Sequence, residues 1–178
     1  MVTGKVILTA ILAATMAAMA HPATEPVSEK AQARIVKEVR NEILMLPYFD
    51  VFDNINFRVD GYNVVLIGQV TRPTLKGDAE KAVKGIEGVE GVNNQIEVLP
   101  VSPNDDRLRV ALYRTIYGYP ALQRYALPVI KPIRIIVKNG NVTLEGVVNS
   151  EADKNLVKLR ANGVHGAFSV TNNLRVEE

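Results

Sequence analysis

The sequence has no cysteine and only two histidines, His21 and His165, among its 178 residues. Without cysteine there can be no disulfide framework, no thiolate nucleophile and no thiolate metal site. Two histidines far apart in the chain form no recognisable zinc pattern. Motifs of nucleophilic catalysis are missing as well: neither GxSxG nor SxxK occurs, and a triad would have to rest on His21 or His165. Calcium and haem patterns are also absent. The carboxylate pairs Asp50 and Asp53, and Asp105 and Asp106, fall at helix ends or turns, where capping accounts for them. His165 sits in the turn Gly163-Val164-His165-Gly166 with no carboxylate or second histidine at motif spacing. These absences argue against an enzyme, and no cofactor is expected.

Neither sign of charge dominates. A formal net charge of +2 is too small to signal nucleic-acid binding. The chain also lacks paired exposed aromatics on a basic strand face, so no nucleic-acid partner is expected. The distribution of charge is more informative. Residues 29–99 carry nine basic and eleven acidic side chains, whereas residues 104–178 carry eleven basic and seven acidic. The second half is the one suited to approach an anionic surface.

Long apolar runs are scarce too. Met1 to Ala20 reads MVTGKVILTAILAATMAAMA, with Lys5 ahead of a fifteen-residue run from Val6 and with Ala18 and Ala20 at the small-x-small positions of a cleavage site. A bilayer span needs about twenty apolar residues. Residues 1–20 are therefore read as a secretory signal peptide cleaved after Ala20, with retention as an anchor the alternative. No cysteine stands at the junction to carry a lipid. Residues 21–28, HPATEPVS, read as a flexible leader.

What the chain does contain, it contains twice. Residues 55–98 align without a gap on residues 133–176 at a constant offset of 78, and the matched positions are apolar residues at strand spacing, glycines and one asparagine. Glu29 to Leu46 has helical periodicity, with Ser28 as its cap and Pro47 as its stop. Ile55, Phe57 and Val59 alternate as a strand, Asp60 to Asn63 turn, and Val64 to Val70 return as the second arm of a hairpin. Leu75 to Lys84 is a second helix, and Val92, Asn94, Ile96 and Val98 form one face of a third strand. The expected fold is α+β, two tandem α-β-β-α-β domains over 29–99 and 105–178, each with two helices on one face of a three-stranded mixed sheet. A short linker containing proline, 100–104, joins them.

Four repeated residues are assigned structural work. Gly68 and its counterpart Gly146 mark a bulge or a place where the helix backbone comes close. Asn94 and Asn172, polar on apolar faces, lock the adjacent turn or helix end. In the second unit, Asn104 or Asp105 caps the first helix, and Ser150 with Asp153 fits a capping box for the second.

The copies diverge after Pro120, where five extra residues enter the stretch ALQRYALPVIK. Tyr113, Tyr117, Tyr119, Leu122, Tyr125, Leu127 and Val129 are more apolar surface than one small core holds, and Arg109, Arg114, Arg124 and Lys131 lie among them. Tyrosine with arginine marks protein interfaces and membrane edges alike. Three readings stay open: packing of the longer loop onto the first unit, a phospholipid headgroup surface, or a protein partner. The candidate contact residues are Arg109, Tyr113, Arg114, Tyr117 and Tyr125, with Lys154, Lys158 and Arg160 on the basic second helix.

The repeated runs resemble the BON domain of bacterial osmotically induced periplasmic and nodulation proteins. They are Val64-Val65-Leu66-Ile67-Gly68-Gln69-Val70 with Gly88 to Val98, and Val142-Thr143-Leu144-Glu145-Gly146-Val147-Val148 with Gly166 to Val176. Ala167, where the family usually has valine, and the insertion after Pro120 depart from the pattern. The resemblance implies a non-enzymatic module of the periplasm or outer envelope that attaches to phospholipid membranes or to envelope proteins under osmotic or envelope stress, and the basic second unit makes anionic phospholipid the expected lipid. By analogy with a related two-domain lipoprotein, the lipid contact would fall on Asp105–Tyr117 or Ser150–Arg160. The oligomeric state is left open.

Overall fold

The structure, a computed structural model, describes residues 29–177. The expected signal peptide, the leader and Ser28 as a helix cap lie outside the described residues. In the first unit α1 (Glu29–Leu44), β1 (Asn54–Asp60), β2 (Asn63–Val70), α2 (Pro73–Lys84) and β3 (Gly91–Val98) follow in order. The second unit repeats them as α3 (Pro103–Tyr117), β4 (Ile133–Lys138), β5 (Asn141–Val148) and α4 (Glu151–Asn162), with a third strand in two pieces, β6 (Ser169–Asn172) and β7 (Arg175–Val176). In each sheet the central strand pairs antiparallel with the first strand and parallel with the third. The fold is therefore α+β, a tandem of α-β-β-α-β units, each a mixed sheet flanked by two helices.

Helical spacing explains the cores. Ile35, Val39 and Ile43 line the buried stripe of α1, and Leu75, Ala79 and Val83 that of α2. They meet Val64, Leu66, Val70 and Ile96 of the sheet. α1 stops at Leu44, two residues before the expected Leu46, ahead of Pro47. Pro73 stands inside the first turn of α2, where its missing N–H costs nothing.

Three local expectations are corrected. The cap of α3 is Ser102, whose Oγ accepts from the Asp105 N–H at 3.2 Å. Pro103 favours an earlier start, and Asp105 is drawn elsewhere: its carboxylate accepts from the N–H groups of Asn139 and Gly140, both at 2.8 Å, across the β4–β5 turn. At α4 only half of a capping box forms. Ser150 accepts from the Asp153 N–H, but the Asp153 carboxylate is taken by Tyr125 and Arg124. At Gly68 and Gly146 the close neighbour is the adjoining strand rather than a helix. A Cβ on Gly68 (φ +131°) would sit 2.0 Å from the Asn54 carbonyl oxygen, and one on Gly146 (φ +119°) would sit 1.9 Å from that of Pro132. The pairing register runs through Gly68 without a bulge and, beyond Gly146, continues in the bond from the Val147 N–H to the Pro132 carbonyl at 3.2 Å.

The units are joined by more than the linker. Val51, in the loop before β1, is buried in the core of the second unit with Leu112, Ile116 and Ile135. Its carbonyl accepts from the Ile135 N–H at 2.9 Å. Beside it Arg134 donates to the Asp50 carbonyl at 2.6 Å and lies over the Phe49 ring at 4.6 Å, and Phe52 meets Tyr113 edge-on. Packing between the units, one of the three readings open for the longer loop, is made here by the loop Phe49–Asp53.

Two outcomes follow. Gly146→Ala should lose more than about 2 kcal/mol, since it adds both a strained φ and a backbone clash; urea denaturation would show a lower midpoint with unchanged slope. Val51→Asp should cost about 3 kcal/mol or more. Amide exchange should then quicken in β4 and β5, although the altered residue belongs to the first unit.

Candidate interaction surface

Of the basic and aromatic residues singled out in the second unit, three are internal. Arg109 is only 4% exposed. It pairs with Asp106 and donates to the Val137 carbonyl at 2.6 Å, while its Nε has no partner. Tyr117 donates to the Ile133 carbonyl at 2.6 Å and accepts from the Ile133 N–H at 3.2 Å. Tyr125 donates to Asp153 at 2.7 Å and accepts from the Asn149 N–H at 2.8 Å. Helical spacing could have revealed Arg109, which lies in the stripe Asp105, Arg109, Leu112, Ile116. Arg109 and Tyr117 finish backbone groups that the β4 edge leaves unpaired, and Tyr125 ties the turn after β5 to α4.

The others divide. Tyr113 is half-buried against Phe52 and Tyr117. Lys154 pairs with Glu151, and Arg160 stacks on Tyr119 at 4.5 Å. Arg114 and Lys158 point into solvent with no acidic partner among the described residues. Arg107, which the sequence did not single out, joins Arg114 seven residues later on one face of α3, with Val110, 42% exposed, between them. Arg107 bonds only to neutral oxygens, of Pro103 and Asn104.

Asn94 and Asn172 share two bonds, and Asn94 adds a third to the Glu80 carboxylate at 3.1 Å. The Asn94 amide donates to the Lys76 carbonyl at 2.8 Å and accepts from the Ile96 N–H; Asn172 donates to the Lys154 carbonyl at 2.9 Å and accepts from the Leu174 N–H. Each ties a third strand to the first turn of the preceding helix.

The insertion forms a 3-10 helix, Pro120–Ala126, that buries Leu122 and Tyr125. After it, Leu127 to Ile130 protrude, with Leu127 80% and Val129 97% exposed. Lys131 holds this loop from behind, donating to the carbonyls of Ala126 at 2.8 Å and Pro128 at 2.6 Å. Between the loop, α3 and Phe49–Phe52 lies a largely apolar groove of about 500 Å³. At its wall, burial raises the Asp50 carboxyl and lowers the Arg134 guanidinium from their ordinary values.

The sequence profile described as BON domain matches residues 31–100 and 121–178. This chain belongs to the BON domain family. BON domains are non-catalytic modules associated with phospholipid membranes and the cell envelope, typically in the periplasm. Among the described residues no cluster of histidine or carboxylates could hold a metal ion, and no helix is long and apolar enough to cross a membrane. Two solved structures resemble this BON protein: CdsD, a structural protein of the type III secretion system of Chlamydia trachomatis, and the C-terminal domain of CdsD. The first is 14% identical over 82% of this chain and 94% of its own, with a TM-score of 0.29; the second is 13% identical over 83% and 99%, with a TM-score of 0.30. No curated protein matches the chain.

The internal tyrosines make alkaline stability a test of the site. Burial, above all, raises both phenols over their ordinary value of 10.0. Their contribution to stability is whole below that value. It is lost as pH rises past it, because the unfolded chain ionises first. Stability should therefore fall progressively as pH rises above about 10. Tyr117→Phe should flatten that fall while costing about 1–2 kcal/mol at neutral pH, as urea melts across the range would show.

Proposed function

We propose that this BON protein is a non-enzymatic, periplasmic envelope module whose second unit contacts anionic phospholipid, serving in osmotic or envelope stress. The observation that supports it best is the outer ridge of α3. Arg107 and Arg114 stand there without acidic partners, because Asp105 is spent on the β4–β5 turn and Asp106 on Arg109. The protruding Leu127–Ile130 loop lies across the groove from Val110 of the same ridge, so cations and aliphatic side chains share one side of the unit. That combination suits a headgroup layer with hydrocarbon beneath it. On α4, by contrast, only Lys158 lacks an internal neighbour of this kind. The alternative, a protein partner held by the Tyr113–Val129 region, has less in its favour, since Tyr117 and Tyr125 are internal. The expected signal peptide supports the periplasmic location.

Co-sedimentation with vesicles of phosphatidylglycerol and phosphatidylcholine, beside phosphatidylcholine alone, tests this at about 50 and 300 mM salt. Binding should need the anionic lipid and weaken with salt. Arg107→Gln with Arg114→Gln should reduce it about tenfold or more, and Val129→Asp similarly, whereas Lys154→Gln should change little. Equal binding to neutral vesicles, or no effect of the arginine pair, would refute the reading.

A further inference from the structure

The two units treat their first-strand edges differently. In β4 the residues facing away from β5 are Ile133, Ile135 and Val137, and much of that edge is closed: Tyr117 takes the N–H and carbonyl of Ile133, the Val51 carbonyl takes the Ile135 N–H, and Arg109 takes the Val137 carbonyl. At the offset of 78 the corresponding residues of β1 are Ile55, Phe57 and Val59. At the α3-to-α1 offset of 73, Leu44 stands for Tyr117 and Val36 for Arg109. Neither aliphatic side chain can bond a backbone group. Among the described residues the only bond to this edge is a long one, 3.5 Å, from the Gln32 amide to the Val59 carbonyl. Ile55 and Phe57 have no partner there.

A groove of about 510 Å³ runs along this open edge, between β1 and α1. Arg40, Arg134 and Arg175 line it, and no acidic side chain does.

We propose that the open edge of β1 is a docking site for an extended segment of another protein, one that carries apolar and acidic residues. The chain displays the mode of binding on its own second unit, where the stretch Phe49–Asp53 lies against the β4 edge and Val51 makes the backbone bond to Ile135. An incoming segment would do the same at Phe57, gaining main-chain hydrogen bonds as an added strand. The three arginines select acidic residues in it, and the apolar flank of α1, Val36 and Leu44, accepts its aliphatic or aromatic ones. The groove lies along β1 and α1 with Arg134 and Arg175 contributed by the second unit, includes no residue of α3 or of the Leu127–Ile130 loop, and stands independently of the lipid reading.

The probe is a fluorescein-labelled peptide with the sequence of Tyr48–Asn54, YFDVFDN, which carries two aspartates between apolar residues. Its anisotropy should rise saturably with the protein, and amide exchange at Ile55 and Phe57 should slow. A peptide with lysine at both aspartate positions, and one N-methylated on its backbone, should bind at least about tenfold more weakly. The decisive variant grafts the second unit's closure onto the first: Leu44→Tyr with Val36→Arg should abolish binding while leaving the circular dichroism intact. Arg40→Glu with Arg175→Glu, both at the surface, should weaken it without touching the core. Absence of binding, equal binding by the grafted variant, or protection of amides elsewhere would overturn the proposal. So would protection of Ile55 and Phe57 by raised protein concentration alone, which would assign the edge to a second copy of the chain.

Discussion

The hydrogen bond from the Ile135 N–H to the Val51 carbonyl fixes how the molecule is put together. It is a single bond, worth about 1 kcal/mol by itself, yet it brings Val51 into the second core and sets Phe49 under Arg134 and Phe52 against Tyr113. Each unit has about seventy residues, near the size at which one core is marginal. Sharing a buried side chain is therefore a large relative gain for the second unit. It also fixes the groove between the Phe49–Phe52 loop and the insertion, whose walls come from both units.

The same accounting of polar groups decides which charges reach the surface. Counted along the sequence, the second unit has seven acidic side chains. In the fold Asp105 and Asp153 are buried and committed, one to the N–H groups of a turn and the other to Tyr125 and Arg124. Buried carboxylates need such partners, since an unpaired charge away from water is costly. Arg109 goes inward for the complementary reason, as a donor to a strand edge. Outside on α3 stand Arg107 and Arg114, while the exposed Asp106 is paired with the inward Arg109, a more cationic ridge than the net charge suggests.

Much of the fold was legible because it rests on periodicity. The stripe Ile35, Val39, Ile43 and the alternation Ile55, Phe57, Val59 depend only on helix and strand geometry, and the repeat fixed their order twice. The asparagines were legible as polar residues on apolar faces. What could not be read was set by partners distant in sequence. Asp105 looks like a cap and Asp153 like half of a capping box until the β4–β5 turn and Tyr125 are placed beside them. Gly68 shows its need for a missing Cβ only when the Asn54 carbonyl lies against it. Tyr117 and Tyr125, grouped with a surface by composition, are internal because their hydroxyls satisfy backbone groups of Ile133 and Asn149.

Duplication followed by divergence explains why the two edges differ. The units share the glycine contact and the asparagine tie, which hold strand to strand and strand to helix, so those positions leave little freedom. The helix face toward the first strand is freer. Where α3 carries Asp105, Arg109 and Tyr117, α1 carries Gln32, Val36 and Leu44, and the number of side-chain bonds to the strand edge falls accordingly. Exposed strand edges invite pairing with other chains and are normally blunted or covered. A sheet closed into a barrel would have no such edge, but two separate three-stranded sheets must dispose of several. This chain closes much of the β4 edge with its own side chains and loop, leaving β1 lined by arginines, a charge pattern that repels another basic strand while admitting an acidic one.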